Sequence, residues 1–171
     1  MVLRVNTTED KDITAKLKKD AADKGIETDI VEASDMRISH CIGCNHCWLD
    51  TPGECSVKDD YEKILRKIVK ADQMWVISGT ALGFIDHKGK NIYDRILPIL
   101  TMNLKFIKGQ MRHICRYDNR VDMGLIVNGE CDKEYLVRWN ERVALNVDSK
   151  ALGVYGIEEY EEALSCMAGK G

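Results

Sequence analysis

MWVISGTALGFIDHKGKNIYDRILP, residues 74–98, carries a strand followed by a helix, and that pairing sets the fold class. Met74 to Ser78 is a short apolar run of strand length and predicts a buried strand. Gly79 to Gly83 predicts a loop. The segment beyond predicts a helix that carries Ile92, Ile96 and Leu97 and stops before Pro98, because the residue preceding a proline is pushed out of the helical region.

The same alternation extends in both directions. Upstream, Val2 to Val5 predicts a first strand and Asn6 to Asp12 a polar loop. Ile13, Leu17 and Ala21 then recur at four-residue steps as far as Gly25, which stands where a helix would stop. Thr28 to Val31 predicts a second strand. Tyr61, Ile64, Leu65, Ile68 and Val69 form an amphipathic stripe with Ser56 or the Asp59-Asp60 pair as its cap. Downstream, Gly124 to Val127 and Ala151 to Tyr155 predict two more strands, separated by a helix containing Tyr135, Trp139 and Val143. Glu158 to Met167 predicts a last helix. Residues 99–122 predict a long connection carrying Lys105, Lys108, Arg112, Arg116 and Arg120. Strands alternating with helices imply an α/β fold whose parallel sheet is covered on both faces. Such sheets bind ligands in loops at the carboxyl ends of their strands, the edge where the 6–14 and 78–83 loops lie.

At 171 residues, 44% hydrophobic and 31% charged, the chain is long enough to bury one core and reads as a single domain, residues 1–171, with a cysteine-rich loop at 38–56. A net charge of −3 and a pI near 5.8 supply no basic field for phosphate backbones or anionic lipid, so neither nucleic acid nor a membrane is an expected partner. No leader, bilayer-length run or lipidation signal is read, and the expectation is a soluble, cytoplasmic protein. Its seven cysteines, an odd number, are then expected as thiols rather than disulfides.

Cys41, Cys44, Cys47 and Cys55 follow the order C-x2-C-x2-C-x7-C. Three thiols at steps of three can converge on one small centre, and the fourth returns after the turn-forming Pro52-Gly53 pair, so the segment reads as a metal-ligand loop. Compact spacing of this kind favours a [4Fe–4S] cluster over zinc, whose knuckles bring two separated C-x2-C pairs. Reduced thiols holding nothing remain the open alternative. His40 and His46 read as surface histidines, Trp48 as a packing aromatic, and Cys115, Cys131 and Cys166 as thiols without ligand spacing.

The run from Cys41 to Asp60 resembles the segment after the second strand in flavodoxin-like NAD(P)H-dependent FMN reductases and the related iron–sulfur flavoproteins. Lys90 to Arg95 resembles the K-x-x-x-D-R signature on the helix after the third strand of that family, and Ala71-Asp72 before the strand agrees. The likeness is continuous from about Arg4 to Pro98. It implies a flavodoxin-like three-layer sandwich with a five-stranded parallel sheet and FMN at the sheet edge. It also implies NAD(P)H or another electron donor, an unidentified acceptor, and a homodimer or homotetramer.

Residues Asn6 to Thr14 have the length of the family's phosphate loop, approximately G-S-P-R-K-x-G-N-T. The resemblance places Thr7, Thr8 and Thr14 on the phosphate, with Lys11 turned inward. Glu9, Asp10 and Asp12 would repel that phosphate unless they face solvent. Ser78, Gly79, Thr80 and Ala81 stand where the family has its S-P-x-Y flavin loop. The stacking aromatic is missing, which leaves Leu82, Gly83 and Phe84 to complete the contact, with Leu82 or Phe84 covering the isoalloxazine. Lys88, Lys90, Arg95 and the basic stretch read as a solvated basic face. The functional expectation is a flavin-dependent oxidoreductase or electron-transfer protein using FMN, with a [4Fe–4S] cluster as the candidate second cofactor and no catalytic side chain. The alternative is a flavodoxin-like binding or scaffold protein that has lost FMN and holds a structural metal or none.

Overall fold

A computed structural model describes residues 1–107 and 109–169, without the side chain of Ala21. Lys108 of the basic stretch and Ala21 of the first helical stripe therefore lie outside the described side chains.

The chain runs β1 (Val2–Asn6), α1 (Lys11–Asp23), β2 (Thr28–Glu32), the one-turn α2 (His46–Leu49), α3 (Tyr61–Ile68), β3 (Gln73–Ala81), β4 (Phe84–Ile85) and α4 (His87–Asp94). A 3-10 turn at Leu97–Ile99 leads into β5 (Leu100–Ile107), β6 (Gln110–Cys115), β7 (Asp122–Asn128), α5 (Lys133–Asn146), β8 (Ala151–Gly156), a second 3-10 turn at Ile157–Glu159 and α6 (Tyr160–Ala168). The main sheet has the order β2-β1-β3-β7-β8, every neighbouring pair parallel. Counted along the parallel strands this is 2-1-3-4-5, the expected flavodoxin-like arrangement, in which strand order reverses beside β1 and opens a crevice at the carboxyl edge.

Alternation along each strand sorts the core into two layers. Val2, Trp75, Ile77 and Ile126 face α1 and α6, whereas Leu3, Val5, Val76 and Leu125 face α3, α4 and α5. The stripe Tyr61, Ile64, Leu65 and Ile68 of α3 is buried as its periodicity requires, and each such side chain contributes about 1.5–3 kcal/mol in area removed from water. Gly124 lies opposite Trp75 in register, and a Cβ there would stand 2.3 Å from the indole, so this close packing admits no side chain.

Local expectations fail where tertiary contacts override them. Residues 79–83 are not a free loop: β3 continues to Ala81 and turns back through Leu82-Gly83 into β4, pairing Thr80 with Ile85 and Ala81 with Phe84. The helix after β3 ends at Asp94, so Ile96 and Leu97 lie beyond it. The long connection at 99–122 contains the antiparallel β5–β6 hairpin. For α3, Asp60 makes no side-chain cap; Asp59 accepts from the Tyr61 amide at 3.1 Å instead. No helix among the described residues is long and apolar enough to cross a membrane.

Candidate functional site

The carboxyl edge of the sheet brings together the β1–α1 loop, the β3–β4 tip and the β7–α5 turn. Polar groups of the first loop are turned inward onto one another. Asn6, fully buried, accepts from the Thr8 amide at 3.0 Å and the Thr8 hydroxyl at 2.7 Å, and donates to Thr14 Oγ1 at 3.0 Å and Glu32 Oε2 at 3.2 Å. The Thr14 hydroxyl donates to Glu32 Oε1. Thr7 donates from both its amide and its hydroxyl to the Ile77 carbonyl, at 2.9 and 3.0 Å. Asp10 caps α1, its Oδ1 accepting from the Asp12 and Ile13 amides at 3.0 and 3.3 Å. Lys11 is exposed, and Glu9 lies 2.9 Å from Lys88 of α4.

The β3–β4 tip is a two-residue turn with both central residues at positive φ, Leu82 at 53° and Gly83 at 78°. Leu82 projects fully into solvent, while Phe84 is drawn onto α5 with its ring centroid 5.0 Å from Trp139 and 5.8 Å from Tyr135. Ser78 is buried and donates to the Gly79 carbonyl at 2.8 Å, so it does not face a ligand. Between this tip and the β7–α5 turn lies a cavity of about 460 Å³ lined by Thr80, Ala81, Leu82, Gly83, Glu130, Cys131 and Asp132. The Asp132 amide donates to the Gly83 carbonyl at 2.8 Å and ties its two walls together. Thr80 to Gly83, expected at the flavin, all line this cavity. Glu130, Cys131 and Asp132 were missed, although their place just past a predicted strand on the ligand-binding edge was the available signal.

The cavity can accommodate a ring system. The three threonines expected to bind a phosphate already serve carbonyl and carboxylate oxygens, while Lys11, expected to turn inward, is exposed. Glu32, at the carboxyl end of β2, was the unrecognised partner.

In the cysteine loop all four thiols are half-buried and free. Gly43, Asn45 and Gly53 turn the chain at φ of 66°, 60° and 90°. Cys44 Sγ lies 3.2 Å from Ser56 Oγ, a contact that, with a backbone hydrogen bond at His46, lowers its thiol pKa. Cys47 is raised, first by burial and then by the nearby Cys55, Cys41 and Cys44. The four thiols therefore share one neighbourhood. Among the described residues, however, no three His, Cys, Asp or Glu side chains converge as a metal site requires. Donor chemistry fits a cluster; the arrangement does not yet gather it. His46 Nδ1 sits 3.0 Å from Asp50, and Trp48 packs at 4.6 Å on His113 while donating to the Leu97 carbonyl at 2.9 Å.

The base of this loop is held by Arg95, which donates to the carbonyls of Ser39 at 3.2 Å and Val57 at 2.9 Å and pairs with Asp59. Burial alone would lower the Arg95 pKa, yet hydrogen bonds to Asp59 and Cys55 hold it above its ordinary value.

Comparison with known proteins bears on this geometry. An iron–sulfur flavoprotein of Methanocaldococcus jannaschii is 35% identical over 78 residues, 46% of this chain and 39% of that protein. Over that stretch this chain is similar to the iron–sulfur flavoproteins. The matches span 34–49% of the lengths of these curated relatives. No protein-family model matches the chain. The FMN-dependent NADH-azoreductase of Bacillus anthracis, solved with FMN, superposes with a TM-score of 0.56 at 13% identity, covering 98% of this chain and 95% of that one. The NAD(P)H:quinone oxidoreductase of Methanothermobacter marburgensis gives 0.60 at 11% identity with the same coverages. At such identities these likenesses establish the flavodoxin-like fold that the strand order already displays.

Proposed function

We propose that this chain is a flavin-dependent oxidoreductase, with the isoalloxazine lodged between the β3–β4 tip and the β7–α5 turn. The observation carrying this reading is the cavity of about 460 Å³ at the carboxyl edge of a 2-1-3-4-5 sheet, where flavodoxin-like proteins hold their flavin. FMN is the flavin named for the azoreductase neighbour. A bound flavin supplies hydride acceptance as a two-electron unit and release of single electrons. The chain's own part is positional: Leu82 offers an apolar cover, the 80–83 backbone a rim, and Phe84 braces that rim against Tyr135 and Trp139. NAD(P)H is the proposed donor, supported by the neighbours' names.

Cys41, Cys44, Cys47 and Cys55 are the proposed ligands of a [4Fe–4S] cluster, supported by their spacing, their common neighbourhood and the names of the curated relatives. A homodimer or homotetramer is proposed, supported by the β5–β6 hairpin, which exposes Met102, Leu104, Phe106 and Met111. Anaerobic purification followed by visible spectroscopy and flavin extraction tests the reading. A two-banded flavin spectrum upholds it; colourless protein that takes up no added flavin defeats it. The second reading, a scaffold that has lost its flavin, is favoured by the inward-turned first loop and predicts that colourless outcome.

A further inference from the structure

We propose that the flavin taken by this crevice is better bound without its terminal phosphate, so that riboflavin is preferred over FMN, and that Asp10 and Glu32 set the preference. The proposal rests on the flavin reading above and narrows it.

A phosphomonoester at this edge needs the amides at the start of α1 and hydroxyl or ammonium donors of the β1–α1 loop. Apart from the exposed Lys11, the buried hydroxyls and the Asp12 and Ile13 amides are already held by an anion or a carbonyl. Asp10 Oδ1 takes the Asp12 and Ile13 amides at 3.0 and 3.3 Å. Glu32 takes the Thr14 hydroxyl and the Asn6 amide nitrogen, the latter at 3.2 Å. Thr8 is committed to Asn6 Oδ1 through both its amide and its hydroxyl, and Thr7 likewise to the Ile77 carbonyl. Lys88, the cation reaching this loop from α4, is paired with Glu9. Asn6, Thr7, Thr8 and Thr14 are all more than nine-tenths buried, so their commitments are not loosened by solvent.

A dianionic phosphate entering here would stand beside two carboxylates and would have to strip their donors. An alcohol meets no such conflict. A hydroxyl both donates and accepts, so the end of a ribityl chain can donate to a free lone pair of Glu32 without displacing Thr14 or Asn6.

The experiment is a fluorescence-quenching titration of the flavin-stripped 171-residue chain with riboflavin and with FMN. Riboflavin is expected to bind about tenfold more tightly or better, the ratio expected if one phosphate–carboxylate repulsion of modest size survives screening. Asp10→Asn should shift the ratio towards FMN by a similar factor while riboflavin affinity stays within about twofold, and Glu32→Gln should shift the ratio in the same direction. Asparagine is itself a good N-cap, so Asp10→Asn keeps α1 capped even where Glu32→Gln disturbs the buried network. FMN binding as tight as riboflavin, or a ratio unmoved by Asp10→Asn, overturns the proposal and leaves the flavin reading standing. Quenching by neither flavin overturns both.

Discussion

Arg95 and Asp59 form an ion pair at 2.5 Å in which the two side chains are 1% and 3% exposed, and this pair closes the base of the cysteine loop. The guanidinium fork simultaneously grips the carbonyls of Ser39 and Val57 and lies 4.6 Å over the Tyr61 ring. A planar, permanently charged fork can serve three acceptors and one aromatic face at once, which an ammonium cannot. The last residue of the Asp94-Arg95 signature is thus tied to the loop that carries the thiols, although the two lie far apart in sequence.

Removing one partner of a buried pair leaves an uncompensated charge, so Asp59→Asn should destabilise the fold by about 3–5 kcal/mol. Urea denaturation followed by circular dichroism checks this. A thiol-reagent assay on the folded variant should also show faster modification of cysteines 41–55. Wild-type stability with wild-type thiol reactivity would mean that the pair does not secure the loop.

The same carboxylate predicts an acid limit. Burial works to raise the Asp59 pKa, but hydrogen bonds from Arg95 and from the Ser39 and Tyr61 amides outweigh it and hold the group below its ordinary 3.8. A depressed folded-state pKa contributes stability that is present above the unfolded value and lost as pH falls through the folded one. Stability should therefore drop as pH falls below about 4, and the drop should be shallower in Asp59→Asn. Denaturation midpoints measured from pH 6 down to about 2.5 report it; parallel profiles for the two proteins would assign the acid loss to other groups.

Five parallel strands and their helices were legible because each is a local pattern: short apolar runs, and a stripe at helical spacing such as Tyr61, Ile64, Leu65 and Ile68. The β3–β4 tip was not. Gly79 and Gly83 punctuate the sequence as a loop would, whereas the structure uses Gly83 for a tight turn and keeps Thr80 and Ala81 in pairing with Ile85 and Phe84. The β5–β6 hairpin was equally hidden, since its exposed face is apolar and its Arg112 is buried against the Leu145 carbonyl, the inverse of the usual pattern. At the site, the length of the first loop could be read, but the Asn6–Thr14–Glu32 network could not, because Glu32 arrives from another strand.

Cys44→Ser should abolish cluster-derived absorption and iron content while leaving flavin content largely unchanged, because none of the four loop cysteines lines the 80–83 cavity. Iron analysis of anaerobically prepared protein decides it. Iron retained at the wild-type level would remove Cys44 from the ligand set.

Met102, Leu104 and Phe106 alternate along β5, and Phe106 faces Met111 across the hairpin, so these apolar side chains share one exposed face. A two-stranded ribbon is marginal on its own in water, and this one presents unpaired outer edges as well. If a second copy covers it, Leu104→Glu with Phe106→Glu should convert the oligomer to monomer in sedimentation velocity. An unchanged sedimentation coefficient would place the contact elsewhere.

Leu82 combines two costs at the crevice rim: a left-handed backbone, φ 53°, and a side chain wholly in water. The first disfavours a residue with a Cβ by about 1 kcal/mol, and asparagine tolerates it far better. Leu82→Asn should therefore stabilise the empty protein by roughly that amount, raising Tm by about 2–4 °C for a chain of this size. If the proposed flavin lies against this side chain, that contact offsets both costs. Losing that cover forfeits part of the about 1.5–3 kcal/mol that a buried leucine provides, so flavin affinity should fall by about tenfold. Thermal melts and flavin titrations on the same preparation separate the two effects: a higher Tm with weaker binding is expected, while a higher Tm with unaltered binding would take Leu82 out of the flavin site.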